Sequence, residues 1–151
     1  MSILTVRQAT LSDLEALVLL FDDYRQFYGR VSDVQAARDF LLARFNHGES
    51  VLFIAYEGST SIGFTQLYPS FSSVSLARTF VLNDLFVSES ARRKGVASKL
   101  MSAAVGFASA LGAVRVSLST VTSNEAAQAL YQSAGWKRDE QFFVYHCAIS
   151  A

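Results

Sequence analysis

The residues from Asn83 to Ala97, NDLFVSESARRKGVA, carry the densest chemical information in this chain. An apolar stretch, Leu85-Phe86-Val87, runs into a loop, Ser88 to Lys94, that passes through Gly95 into a helical pattern. The first amides of a helix have no intrahelical acceptor, and the helix dipole favours an anion beside them. Gly95 lets a ligand approach the backbone closely, Ala97 keeps the first turn small, and Arg92, Arg93 and Lys94 add positive charge. Such a cradle suits a pyrophosphate. An Arg-Arg-Lys run alone would read as a solvated basic surface or a targeting patch; its place between a buried strand and a helix favours the cradle. The turn lacks the Gly-Lys-Ser/Thr of a nucleoside-triphosphate loop and the three-glycine fingerprint of a dinucleotide fold.

The elements that must position this loop follow from periodicity and punctuation. Ile3 to Gln8 alternates and predicts a strand. Thr10 to Asp13 supplies helix-starting residues, with Ser12 as N-cap and Glu15 three residues on. Leu14, Leu17, Val18, Phe21, Arg25 and Tyr28 then recur at helical spacing up to Gly29. A second helix is expected after Ser32-Asp33, with Val34, Ala37, Leu41 and Phe45 on one face, ending near Gly48. Strands are expected at Val51–Tyr56, Ile62–Tyr68 and Arg78–Val87, the last two joined by a Ser-rich loop around Pro69 to Ser75. Asn83 and Asp84 are the polar exceptions in the last of these strands. The helix after Gly95 has Val96, Leu100, Ala103, Phe107 and Leu111 as its core face, with Gly112 ending it. Val114 to Val121 predicts a strand, and Thr122 to Glu125, with capping-box spacing, opens a short helix to Ala134. Gly135-Trp136 breaks that helix, and Phe142 to Ile149 is read as a last strand. The order β-α-α-β-β-β-α-β-α-β describes a mixed α/β sheet in one domain over residues 1–151.

Bulk composition narrows the function classes. With 151 residues, 51% hydrophobic and 17% charged, the chain can bury a sizeable core. Thirteen basic and thirteen acidic side chains cancel, so neither nucleic acid nor an anionic membrane is indicated as a partner. Cys147 is the one cysteine, and no Cys/His cluster has zinc-ligand spacing. Neither a signal peptide nor a membrane-spanning run is expected, which makes cytoplasm the default location.

Arg92-x-x-Gly95-x-Ala97, following Leu85-Phe86-Val87, resembles the Arg/Gln-x-x-Gly-x-Gly/Ala signature of the GCN5-related N-acetyltransferase (GNAT) superfamily. Asn124, Ala127, Tyr131 and Gly135-Trp136 resemble that family's second signature, and the element order matches over essentially the whole chain. The resemblance implies a sheet whose central strands, Leu85 to Val87 and Val114 to Val121, splay apart to admit acetyl-CoA. It implies that Leu85, Phe86 and Val87 hold the pantetheine arm and acetyl group through their backbone. The amides of Arg92, Arg93, Lys94, Gly95, Val96, Ala97 and Ser98 would hold the pyrophosphate.

By the same resemblance Asn124 binds the pantetheine arm and Tyr131 assists departure of the thiolate. The two are seven residues apart, two helical turns and about 10 Å along one face. The attacking amine must lose a proton, and Asp84 is the candidate base. Relatives often carry a Glu-Asp pair where this chain reads Asn83-Asp84, so a structural role for Asp84 stays open. Glu89 and His146 read as a loop residue and a strand residue. Tyr24, Tyr28 and Asp23, with the loop Pro69 to Leu76, would shape an acceptor pocket, although a tyrosine pair at i, i+4 reads as readily as core packing; Asn83 would orient the amine or a water. The expected activity is direct acetyl transfer from acetyl-CoA to a primary amine, on a small or polyamine-like metabolite or a lysine, without a metal and in a chain able to form a homodimer. A non-catalytic acyl-CoA-binding module is the alternative, and a nucleic-acid-binding module a weaker third.

Overall fold

The structure, a computed structural model, describes residues 3–150. It divides into two compact units at Ser119/Thr120. The first contains β1 (Leu4–Gln8), α1 (Leu14–Phe27), α2 (Val34–His47), β2 (Val51–Glu57), β3 (Thr60–Ser72), β4 (Ala77–Val87), α3 (Val96–Ala110) and β5 (Arg115–Ser117). The second contains α4 (Glu125–Ser133). The sheet runs β1-β2-β3-β4-β5; the first four strands pair antiparallel and β5 pairs parallel to β4. A mixed α/β architecture was the sequence expectation, and it holds. No helix among the described residues is long and apolar enough to cross a membrane.

Helices α1 and α2 cover one face of the sheet. Leu14, Leu17, Val18 and Phe21 of α1, with Ala37 and Leu41 of α2, share a core with Ile54, Phe64 and Phe86 of the strands. Asp33 caps α2 by accepting from the Ala36 amide at 3.0 Å, and Gly48 ends it in the left-handed region. The other face carries α3, where Phe107 meets Phe53 and Phe80 edge-on at 5.7 and 5.9 Å. Three layers result, with polar ends facing out.

The entry to α1 differs from the sequence reading. The turn preceding it, Leu11–Asp13, is a 3-10 helix that starts at Thr10, so Ser12 lies inside the turn and is not the cap. Asp13 accepts from the Thr10 amide at 2.9 Å, from both terminal nitrogens of Arg7 at 2.8 Å, and from the Tyr56 hydroxyl at 2.8 Å. These bonds, led by the Arg7 fork, hold the buried Asp13 carboxyl well below the usual carboxylate range. Four donors outweigh a single cap, which is why the helix starts later than local propensity suggests.

Other expectations are corrected as well. Pro69 to Ser72 belongs to β3, not to a loop; Pro69 stands opposite Phe80, and the turn begins after Ser72. The buried stripe of α3 is Val96, Leu100, Met101, Ala104 and Ala108. Ala103 is half-buried at the edge of that stripe, and Leu111 is exposed just past the end of the helix. The β5 ladder covers Arg115–Ser117 only, opposite Thr79–Val81 of β4, rather than Val114 to Val121. Among the described residues, Phe142 to Ile149 joins no ladder, so the last strand is not formed there. An alternating pattern sets faces but makes no strand until a second backbone supplies its hydrogen bonds.

One irregularity decides where the chemistry sits. Gln66 pairs with Asp84, but Leu67 pairs with Leu82, so Asn83 is an extra residue in β4. A bulge of this kind reverses side-chain parity. Before it, Phe80 contacts α3 through Phe107; after it, Phe86 contacts Tyr24 and Phe27 of α1. Without the bulge residues 80, 84 and 86 would share one face.

Candidate active site

Asp84, turned toward α1 by that bulge, is 4% exposed. Gln66 donates from Nε2 to its Oδ2 at 2.8 Å, and Asn83 donates from Nδ2 to its Oδ1 at 3.0 Å. The Tyr24 hydroxyl is a third hydrogen-bonding group on the carboxylate. Burial pushes the Asp84 carboxyl above its ordinary range, and these neutral donors offset only part of that effect. The same proximity acts on its neighbours: burial and the Asp84 charge push Tyr68 up to about 12 and raise Tyr24 further. A buried acid with neutral donors around it is suited to taking up a proton.

Tyr24 packs edge-on against Tyr28 at 5.1 Å, Phe64 at 5.7 Å and Phe86 at 6.0 Å. Its ring is therefore part of the core while its hydroxyl serves Asp84, which is the packing reading of the tyrosine pair with one polar contact added. Tyr28 is exposed and touches Tyr24 and Phe27, not Asp84. Beside them a cleft of about 260 Å³ is lined by Asp23, Phe27, Phe86, Ser88, Glu89 and Arg92. Asp23 lines this cleft, and Glu89, read as a plain loop residue, lines it too.

The loop after β4 is held at both ends. The Ser88 amide donates to the Ile62 carbonyl at 2.8 Å, and a 3-10 turn spans Glu89–Ala91. Arg92 folds back: its Nε donates to the Val87 carbonyl at 2.9 Å and its guanidinium lies over Phe27 and Phe86 at 5.4 and 5.8 Å. Its side chain fastens the loop to the strand, a role the sequence did not distinguish from charge. Lys94 lies 3.9 Å from Glu57. Arg93 and Gly95 both adopt the left-handed region, φ 64 and φ 78. Gly95 caps α3 without a side chain, ahead of the amides of Val96, Ala97 and Ser98. A Cβ built on Gly95 meets nothing within 4 Å, so the space above the helix start is open to a ligand. The residues present fit a pyrophosphate there.

Leu85 to Val87 lies beyond the β4–β5 ladder, which ends at Val81; on that edge no ladder partner is found for these residues among those described. Opposite them, Gly63 pairs with Val87, and a Cβ at Gly63 would come 2.8 Å from the Phe86 carbonyl oxygen. Gly63→Ala is expected to lower stability by about 1–3 kcal/mol and to raise the KM for acetyl-CoA, as the strand shifts to relieve the overlap. Thermal melting and initial-rate kinetics check this; a variant unchanged in both would mean that β4 yields freely at this point.

In the second unit, Asn124 is the N-cap of α4, its side-chain oxygen accepting from the Ala127 amide at 3.1 Å. The cap is thus Asn124 and not Thr122. Tyr131 lies on α4 with its ring 6.3 Å from Trp136, and the helix closes at Gly135, φ 88. His146 falls in the segment that joins no ladder. Gln66 is the residue that sequence reasoning missed. It is a large polar residue between the apolar Phe64 and Leu67, a signal like the one that pointed to Asp84.

The fold is that of an acetyltransferase. The described structure superposes on the crystal structure of a probable acetyltransferase with a TM-score of 0.93 at 44% identity, covering 97% of this chain and 99% of that one. The Acetyltransferase (GNAT) family profile matches residues 16–136, spanning both units. Over 144 residues the chain is 47% identical to YhfO, an uncharacterized N-acetyltransferase of Bacillus subtilis, covering 95% of this chain and 96% of that protein. It is 31% identical over 135 residues to a D-amino-acid N-acetyltransferase of Saccharomyces cerevisiae, covering 87% of this chain and 83% of that protein. The chain belongs to the GNAT family and is one of its N-acetyltransferases.

Proposed function

We propose that this enzyme transfers the acetyl group of acetyl-CoA directly to a primary amine within a ternary complex. The amine nitrogen attacks the thioester carbonyl, the C–S bond breaks, and an amide and free CoA thiol result. The ammonium proton passes to Asp84, directly or through a water, and Tyr131 gives a proton to the departing thiolate. The pyrophosphate is held by the amides from Arg92 to Ser98, and the pantetheine arm by Leu85, Val87 and Asn124. The observation that carries the reading is the Asp84 carboxylate, buried and bonded to neutral donors on the strand that runs into the amide loop. The name of the yeast relative, whose acceptor is an amino group, supports an amine. The cleft is lined by the carboxylates of Asp23 and Glu89, which suit the cationic form in which amines arrive, while Arg92 covers the rings of Phe27 and Phe86. A small or polyamine-like metabolite or a lysine side chain fits this description.

The pH dependence tests it. Across acceptors of different pKa, kcat/KM is expected to show one limb that follows the acceptor and a second that does not. The second belongs to Asp84 and disappears in Asp84→Asn. A profile with only the acceptor's own limb would remove Asp84 from the reaction. Tyr131→Phe is expected to lower kcat by about 10- to 1000-fold while acetyl-CoA affinity stays near wild type. An unchanged kcat would leave Tyr131 with packing alone.

A further inference from the structure

Gln66 sits on β3 directly across from Asp84 and has no exposed surface. Its Nε2 donates to Asp84 Oδ2, while its Oε1 is buried and has no hydrogen-bond partner among the described residues. On the adjacent residue, the Thr65 hydroxyl donates to the Asp84 backbone carbonyl at 2.7 Å. β3 therefore grips both the main chain and the side chain of Asp84 at the bulge.

A carboxamide offers a donor at one end and an acceptor at the other, and a carboxyl group needs opposite partners in its two protonation states. An ionised Asp84 takes the Nε2 donor, as seen. A protonated Asp84 carries an O–H, which the Oε1 of Gln66 can accept once the amide turns over about its last torsion. We propose that Gln66 is the positioning residue for proton uptake at Asp84, holding the carboxyl in place in both protonation states by presenting one end of its amide or the other. This rests on the reading of Asp84 as the base. Apolar side chains of the same length would fill the space equally well, yet the fold keeps an amide with one end unpaired.

The other groups that face Asp84 are Asn83 on its own strand, Tyr24 on α1 with Tyr28 beside it, and Tyr68 on β3, itself acted on by Arg44 of α2. Asn83 carries the same kind of amide at Oδ1 but is exposed, whereas Gln66 presents its amide at Oδ2 from a wholly buried position. Gln66→Met removes the donor while preserving length, and Gln66→Glu replaces the amide with a second acid of the same shape. Gln66→Met withdraws the partner from both states of Asp84, whereas a second carboxyl on the same site disfavours the charged form alone. In Gln66→Met the plateau of kcat/KM is therefore expected to fall by about 10-fold, and in Gln66→Glu the Asp84 limb to move upward by about one pH unit, with acetyl-CoA affinity unchanged. Both results are required, folding being verified by circular dichroism. Asp84→Asn is run beside them with one acceptor throughout. If Asp84→Asn removes the limb while Gln66→Met keeps the wild-type plateau or Gln66→Glu keeps the limb at the wild-type pH, Gln66 merely fills space and this inference fails. If Asp84→Asn itself leaves the limb intact, the reading of Asp84 as base fails instead.

Discussion

Gly95→Val is expected to abolish acetyl-CoA binding, with the dissociation constant rising by about 100-fold or more, while Arg93→Ala only weakens it. Two effects act at Gly95. Its φ of 78 lies in the left-handed region, which costs an ordinary L-residue roughly 1–2 kcal/mol and suits a β-branched one less. No protein atom crowds the position above it either: a Cβ meets nothing within 4 Å, so a valine would fold in and stand in the space that a phosphate needs. Folding tolerates such a side chain better than binding does. Gly95→Ala separates the two effects, since it carries the backbone strain with less bulk, and an intermediate loss is expected. Arg93 also has φ 64, but its backbone amide survives substitution, and only its charge and side chain are lost. Titration calorimetry with acetyl-CoA reads all three variants. Normal binding by Gly95→Val would show that the pyrophosphate lies elsewhere.

Asp84→Asn is expected to lower kcat/KM by about 100- to 10,000-fold, the span of general base catalysis, without lowering the melting temperature. A lysine-like amine with pKa near ~10.4 is neutral about once in a few thousand molecules at pH 7, a cost of roughly 4–5 kcal/mol. The stability half of the prediction follows from linkage. The fold raises the Asp84 pKa above its unfolded value, so the native state holds the proton more tightly than the unfolded chain does. That stabilisation is complete below the ordinary carboxylate range and is lost as pH rises through the folded value. At neutral pH the buried charge is a burden, and a neutral amide removes it. Gln66 can turn its Oε1 toward the new Nδ2, which keeps the cross-strand hydrogen bond and exchanges one unpaired end of its amide for the other. A structural carboxylate predicts the reverse: a lower melting temperature and a pH profile of unchanged shape.

The loop from Ser88 to Lys94 and its passage through Gly95 into α3 were legible because their determinants are local. Arg92, Gly95 and Ala97 stand in one stretch, and Gly95 is the residue that the left-handed φ requires. The caps of α2 were legible for the same reason. The bulge at Asn83 was not, because β4 is apolar on both faces around it and hydrophobic alternation cannot report a change of parity. Gln66 escaped notice because its partnership with Asp84 depends on cross-strand register, which no single segment encodes. Asn124 displaced Thr122 as the cap of α4 because its own side chain reaches the Ala127 amide. The segment from Phe142 to Ile149 has a strand's alternation, but alternation alone does not supply a pairing edge.

The central claim is transfer of acetyl to an amine, and its most direct measurement is thiol release from acetyl-CoA across a panel of primary amines, with the acylated product identified by mass. The account predicts amine-dependent thiol release matched one for one by N-acetylated amine, reduced by at least about 100-fold in Asp84→Asn at equal acetyl-CoA occupancy. Tight acetyl-CoA binding with no amine-dependent thiol release, or release that yields only acetate, would contradict it.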